Sequence, residues 1–120
     1  MTPKEARYVD LFTSVIKSSE YVRFMYDGKE RVVETYLVGE LWRLGLGQFD
    51  EGELAIRCYF ISGETSQIIH TPFDRWRIFK LKRIINPEIL ESKSETLKKG
   101  YHVNDKDFHK IIYQYIPKQD

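Results

Sequence analysis

The hydrophobic positions change period twice along the chain. Behind the opening "TPKE", Val9, Phe12, Val15 and Ile16 recur at the three- and four-residue spacing of one helical face. Thr2 stands where an N-cap is needed, Pro3 at the first helical position and Glu5 where it can reach back to the cap, the pattern of a capping box. The spacing predicts a helix from about Pro3 to Ser18. After it the period becomes two. "YVRFMY" alternates Val22, Phe24 and Tyr26 with Arg23 and Met25, Asp27-Gly28 supplies a tight hairpin turn, and "RVVETYLVG" returns as a second strand. Gly39 is expected to turn the chain into "LWRLGLG", with Trp42, Leu44 and Leu46 on one face and Arg43, Gly45 and Gly47 on the other. Leu54, Ile56, Cys58 and Phe60 repeat that arrangement and leave Arg57 and Tyr59 opposite; "DRWRIFKLKRI" (74–84) and "INPEIL" read as the last two strands. The helical period then returns. "NDKDFHKIIYQYIP" opens on Asn104 as a cap, carries Phe108, Ile111, Ile112, Tyr115 and Ile116 on one face and stops at Pro117, which predicts a second helix over about 104–116.

Short strands between two helices predict a mainly β, α+β chain: a strongly bent sheet or small barrel over about 21–91, flanked by an N-terminal and a C-terminal helix, in one domain spanning 1–120. The connection at 62–75, "SGETSQIIHTPFDR", is long for so small a domain and is a candidate lid or binding loop; "SKSETLKKG" reads as a polar linker.

Length and charge narrow the functions. The 120 residues suffice for one core and one site, not for a catalytic domain plus a recognition domain. A net charge of +1 creates no global field for nucleic acid or anionic membrane, so any anion site must be local. The single cysteine, Cys58, cannot form an intrachain disulfide, no leader-like or membrane-spanning apolar run is present, and a cytoplasmic protein is expected.

Catalysis finds little support. His70, His102 and His109 have no zinc-site spacing, Cys58 has apolar neighbours at alternate positions, and "GLGQFDEG" lacks the lysine and helix of a phosphate loop. Asp50, Glu51 and Glu53 read as solvated loop charge, and nothing fixes Ser62, Ser66 and His70 as nucleophile and base. No catalytic residue, metal site or cofactor is expected. The basic residues say more. Arg43, Arg57 and Tyr59 point away from the apolar face, while Arg77 and Arg83 flank Phe79; forked guanidinium pairs suit phosphate oxygens and an aromatic ring suits a base. Alternatively these arginines solvate a strand's back and pair with Glu34, Glu40 and Glu53.

The order of the motifs carries a resemblance. "LWRLG" followed by "WRIFKLKRI" resembles the WYL domain family, which has a Trp-Tyr-Leu strand and a later Arg-x-Phe-x-Leu-x-Arg-Ile segment. Trp42 and Leu44 match the first motif with Arg43 in the tyrosine's place; Arg77, Phe79, Leu81, Arg83 and Ile84 match the second. "VRFMYDGKERVV" is similar to the family's first hairpin, with Tyr26 and Arg31 in the expected places, and "GYHVNDKDFHKIIYQY" to a tail found after some members. The resemblance covers about Phe12 to Tyr115 and implies an Sm-like, Src-homology-3-like barrel of five strands that senses a ligand or binds nucleic acid in bacterial transcription regulators, including those of phage defence. Only one short helix precedes the barrel here, which leaves no room for the usual winged helix-turn-helix, and Glu34 replaces a customary proline.

These readings converge on a non-enzymatic regulatory module that binds a nucleotide or single-stranded nucleic acid. The expected ligand-binding residues are Tyr26, Arg43, Arg57, Tyr59, Arg77 and Arg83, with the 62–75 loop closing over the ligand. The alternative is an adaptor that binds another protein, one supplying an effector, or a second copy of itself as a homodimer, without nucleic-acid affinity.

Overall fold

A computed structural model describes residues 1–42, 52–63, 69, 72–93 and 100–117. Helix α1 (Pro3–Ser18) begins where the sequence places it. The Glu5 amide donates to Thr2 Oγ1 and the Thr2 amide to Glu5 Oε1, both at 3.1 Å, so two orphan donors of the first turn are satisfied reciprocally. Ser19 ends the helix in the left-handed region at φ 62°, its amide donating to the Val15 carbonyl.

Among the described residues six strands form one antiparallel sheet: β1 (Glu20–Tyr26), β2 (Lys29–Leu41), β3 (Leu54–Gly63), β4 (Trp76–Lys80), β5 (Ile85–Lys93) and β6 (Phe108–Gln114). The path runs β4-β3-β2-β1-β5, and β6 pairs with β2 outside it. Asp27 and Gly28 turn β1 into β2 with φ values of 52° and 75°, the two positive angles that a twist-compatible hairpin turn demands. Strand β2 is long enough to serve two partners along one edge: residues 29–34 pair with β1, and residues 37–41 pair with β6. Gly39 does not turn the chain as expected. It continues β2 to Leu41, and its missing side chain is what admits β6, because a Cβ there would lie 2.3 Å from the Lys110 carbonyl oxygen. The expected strand face of Leu44 and Leu46, and half of the 62–75 loop (64–68, 70 and 71), lie outside the described residues.

The helix expected over 104–116 is corrected to strand β6. Leu37, Gly39 and Leu41 share a face of β2, and their partners are Gln114, Ile111 and Phe108. Two bulges therefore give β6 a same-face spacing of three residues instead of two, and that spacing imitates a helical stripe. The fold is accordingly mainly β, with one α-helix among the described residues, at the N-terminal side.

Two apolar layers result. On the inner face Val22, Phe24, Val33, Val38, Ile56, Cys58, Phe79, Leu81 and Ile84 pack against Val9, Phe12, Val15 and Ile16 of α1. On the outer face Leu37, Ala55 and Phe108 pack with Leu41, Ile78 and Ile111. Among the described residues no helix is long and apolar enough to cross a membrane.

Candidate functional site

Strand pairing decides where the basic residues go. Strand β4 faces Cys58 with Arg77 and Ile56 with Phe79, and since Ile56, Cys58 and Phe79 are core residues, Arg77 projects to the inner face. Its Nη1 donates to the main-chain carbonyls of Asp74 and, at 3.0 Å, Trp76, and its guanidinium lies 5.9 Å over the Phe60 ring. Its Nη2 is buried with no acceptor. Arg31, opposite Phe24 on β2, reaches the same face; only 9 % of it is exposed, its guanidinium lies 5.5 Å over the Phe79 ring, and its Nε also lacks an acceptor. Thr35, directly opposite Cys58, adds a buried hydroxyl without a partner.

These groups surround an electrostatically unusual spot. Burial, first, and then the neighbouring charge of Arg31 hold the Arg77 guanidinium below the ordinary arginine value, although an arginine keeps its proton at neutral pH. Burial likewise pushes the fully enclosed Cys58 thiol far above the usual thiol range, against the opposing pull of Arg57, Arg77 and Arg31, so it brings no negative charge. Among the described residues neither Arg31 nor Arg77 forms an ion pair. One buried and one half-buried cation, with three unanswered donors, can donate charge-assisted hydrogen bonds to the oxygens of an anion. Arg75, nearby in sequence, is occupied: its Nη1 donates to the carbonyls of Phe60 and Ile61, both at 3.2 Å.

The opposite face carries Arg57 and Tyr59. Arg57 is held by two carboxylates: Nε donates to Asp105 Oδ2 and Nη2 to Asp107 Oδ2, each at 2.6 Å. Its charge is therefore answered. Tyr59 meets Trp76 edge to face at 5.3 Å, and Trp76 in turn packs on Tyr36 and Tyr101. The remaining expected residues sit elsewhere. The Tyr26 ring is buried between Phe24 and Phe79, and its hydroxyl accepts from the Lys80 amide at 3.2 Å. Arg83 pairs with Asp27 and lies 4.7 Å over the Tyr26 ring. Arg43 lies outside the described residues.

The five expected ligand residues that are described thus do not form one patch. Arg77 belongs to the inner face, Arg57 and Tyr59 to the outer face, and Arg83 with Tyr26 to a third place near the β1–β2 turn. Arg31 and Thr35 join Arg77 instead. The signal for Arg31 is in the alternation of β2, since a residue two positions before the core residue Val33 points inward. Among the described residues no group of three or more His, Cys, Asp or Glu side chains is placed to hold a metal ion. No family model, curated protein or solved structure matches the chain.

Proposed function

We propose that the protein is a non-enzymatic module that binds a phosphate-bearing ligand, a nucleotide or the phosphate of a single-stranded nucleic acid, through Arg77 and Arg31. One observation carries this reading: a buried arginine, Arg31, and a half-buried one, Arg77, share a face without an ion pair among the described residues, and each keeps a buried N–H that lacks an acceptor. Such groups are costly in an empty fold, at about 1–3 kcal/mol for each unsatisfied donor, and a bound phosphate would answer them. Of the residues the sequence suggests, the proposed site keeps Arg77, adds Arg31 and leaves out Tyr26, Arg57, Tyr59 and Arg83.

The proposed architecture is the Sm-like or Src-homology-3-like barrel of a WYL-like domain. Three features support it. The strand path ends on β4 and β5, these two are joined by a single 3-10 turn at Leu81–Arg83, and the Tyr26 hydroxyl ties the end of β1 to Lys80 of β4. Each draws the two sheet edges toward one another.

Fluorescence anisotropy of a labelled single-stranded oligonucleotide, with competition by a nucleoside monophosphate, tests the function. Binding should weaken steeply as salt rises, because phosphate contacts release counterions, and should be lost in Arg77→Gln and Arg31→Gln. Affinity that survives both substitutions would overturn the assignment.

The adaptor reading keeps one specific observation in its favour. Met25 and Ile85 are partners across β1 and β5, and together with Ile89 they leave large apolar side chains exposed. Light scattering that shows a dimer, together with no affinity for any phosphate compound, favours it.

A further inference from the structure

The inner-face site limits the kind of phosphate it can hold. Cys58 of β3 stands opposite Thr35 of β2 on one side and Arg77 of β4 on the other, so the Thr35 hydroxyl and Arg77 Nη2 approach from the two strands that flank β3. Arg31 Nε completes the set from the start of β2. All three atoms are enclosed, and none has a hydrogen-bond partner among the described residues. Gly63, the partner of Arg31 on β3, is exposed, and Arg75 and Arg77 are half-buried, so among the described residues this end of the sheet is the solvent side of the site.

Two properties separate one phosphate from another. The first is the number of free oxygens. A phosphodiester inside a strand has two, and its other two carry the chain away on both sides, so enclosed donors cannot close around it. A phosphomonoester has three free oxygens, one for each unanswered donor, and a single link to the rest of its molecule. The second property is charge. Arg31, Arg75 and Asp74 lie within electrostatic reach of Arg77, which makes three guanidiniums against one carboxylate, a surplus of two positive charges. Arg75 keeps its charge, since its Nη1 meets only the carbonyls of Phe60 and Ile61, and the enclosed Cys58 thiol stays neutral. A monoester brings about −1.5 to −2 at neutral pH, whereas a diester brings a single negative charge. Both properties favour the monoester.

We infer that Arg31, Thr35 and Arg77 select a phosphomonoester, the terminal phosphate of a mononucleotide or of a strand end, over the diester of a strand's interior. The inference rests on the phosphate reading above and narrows it. Calorimetric titration compares nucleoside 5′-monophosphates with their methyl esters, which keep base and sugar but cap one oxygen and remove one charge. The monophosphate should bind at least about tenfold more tightly, the scale of one charge-assisted hydrogen bond. This comparison uses the unsubstituted protein, so it does not depend on any variant folding. Thr35→Val, which keeps the side chain's shape and deletes the hydroxyl, should weaken the monophosphate and leave the ester unchanged; Arg31→Met should abolish binding of both. Equal affinity for the two compounds, lost together in Arg31→Met, overturns the selectivity and leaves the phosphate reading standing. Binding of neither compound overturns both. One single strand prepared without a terminal phosphate, with a 5′-phosphate and with a 3′-phosphate separates the two sources. If a strand end is taken, phosphorylation at one end tightens binding at least about tenfold; if only mononucleotides are taken, no form of the strand competes with them. A strand that competes equally well in all three forms overturns the selectivity.

Discussion

Arg31 is a residue whose cost to the fold and whose use belong together. A guanidinium that is nine-tenths buried and lies over the Phe79 ring has given up most of its water without gaining a counterion among the described residues. Replacing it by a flexible apolar side chain of similar length should therefore not destabilise the protein, and Arg31→Met is expected to equal or exceed the parent by about 1 kcal/mol in phosphate-free buffer. Added phosphate should raise the melting temperature of the parent, because a ligand that binds only the folded state stabilises it, and should leave Arg31→Met unmoved. Thermal melts with and without phosphate check both halves; a variant that melts well below the parent shows that Arg31 is structural. Cys58 gives a second test at this scale. Its thiol is fully enclosed and pushed far above its ordinary pKa by burial, so a thiol reagent should modify it only as fast as the protein unfolds, at a rate that rises with denaturant in step with the unfolding transition. Tyr101 completes the set. Its raised pKa means the unfolded chain releases that proton first, so stability is fully present below about pH 10, the ordinary tyrosine value, and falls as pH rises toward 12. Tyr101→Phe should lose this part of the alkaline decline, as followed by circular dichroism.

At the scale of elements, β6 depends on a single missing methyl group. Gly39→Ala would place a Cβ 2.3 Å from the Lys110 carbonyl oxygen, a backbone atom that cannot move without breaking the β2–β6 ladder. Denaturant unfolding should show a loss of about 2 kcal/mol or more, the scale of overpacking, with faster amide exchange concentrated in residues 108–114. The same strand marks where sequence patterning stops being decisive. Helix α1 was legible to the residue because its cap, proline and apolar stripe are all local. The β1–β2 hairpin was legible for the same reason, through Asp27-Gly28. β6 was not, because the three-residue spacing of Phe108, Ile111 and Gln114 is produced by bulges that exist only against β2. Arg77 was placed beside Arg57 on functional grounds, although their positions relative to the core residues Cys58 and Phe79 send them to opposite faces.

At the scale of the whole molecule, Arg57 joins parts of the chain that share no strand pairing: β3 and the segment that leads from β5 into β6. Its two carboxylates are not equivalent. Asp105 is nearly enclosed, with 12 % of its side chain exposed, whereas Asp107 is half-exposed, although both lie 2.6 Å from the guanidinium. An enclosed partner gains more from the pairing and leaves a worse orphan when removed, while solvent screens the exposed one. Asp105 also accepts the Asp107 amide through its other oxygen, at 3.0 Å, so it shapes the turn as well as the charge. Asp105→Asn should therefore cost about 1–3 kcal/mol and Asp107→Asn less than about 1 kcal/mol. The consequence should reach both faces unequally. With residues 100–107 loosened from β3, Arg57 loses its hold on them and Tyr101 its seat on Trp76, whereas the inner face around Arg31, Thr35 and Arg77 keeps every contact described for it. Amide exchange in Asp105→Asn should accordingly quicken over 100–107 while phosphate binding is retained. Equal losses from the two substitutions, or loss of phosphate binding in Asp105→Asn, would show that the two faces of the sheet are one coupled unit.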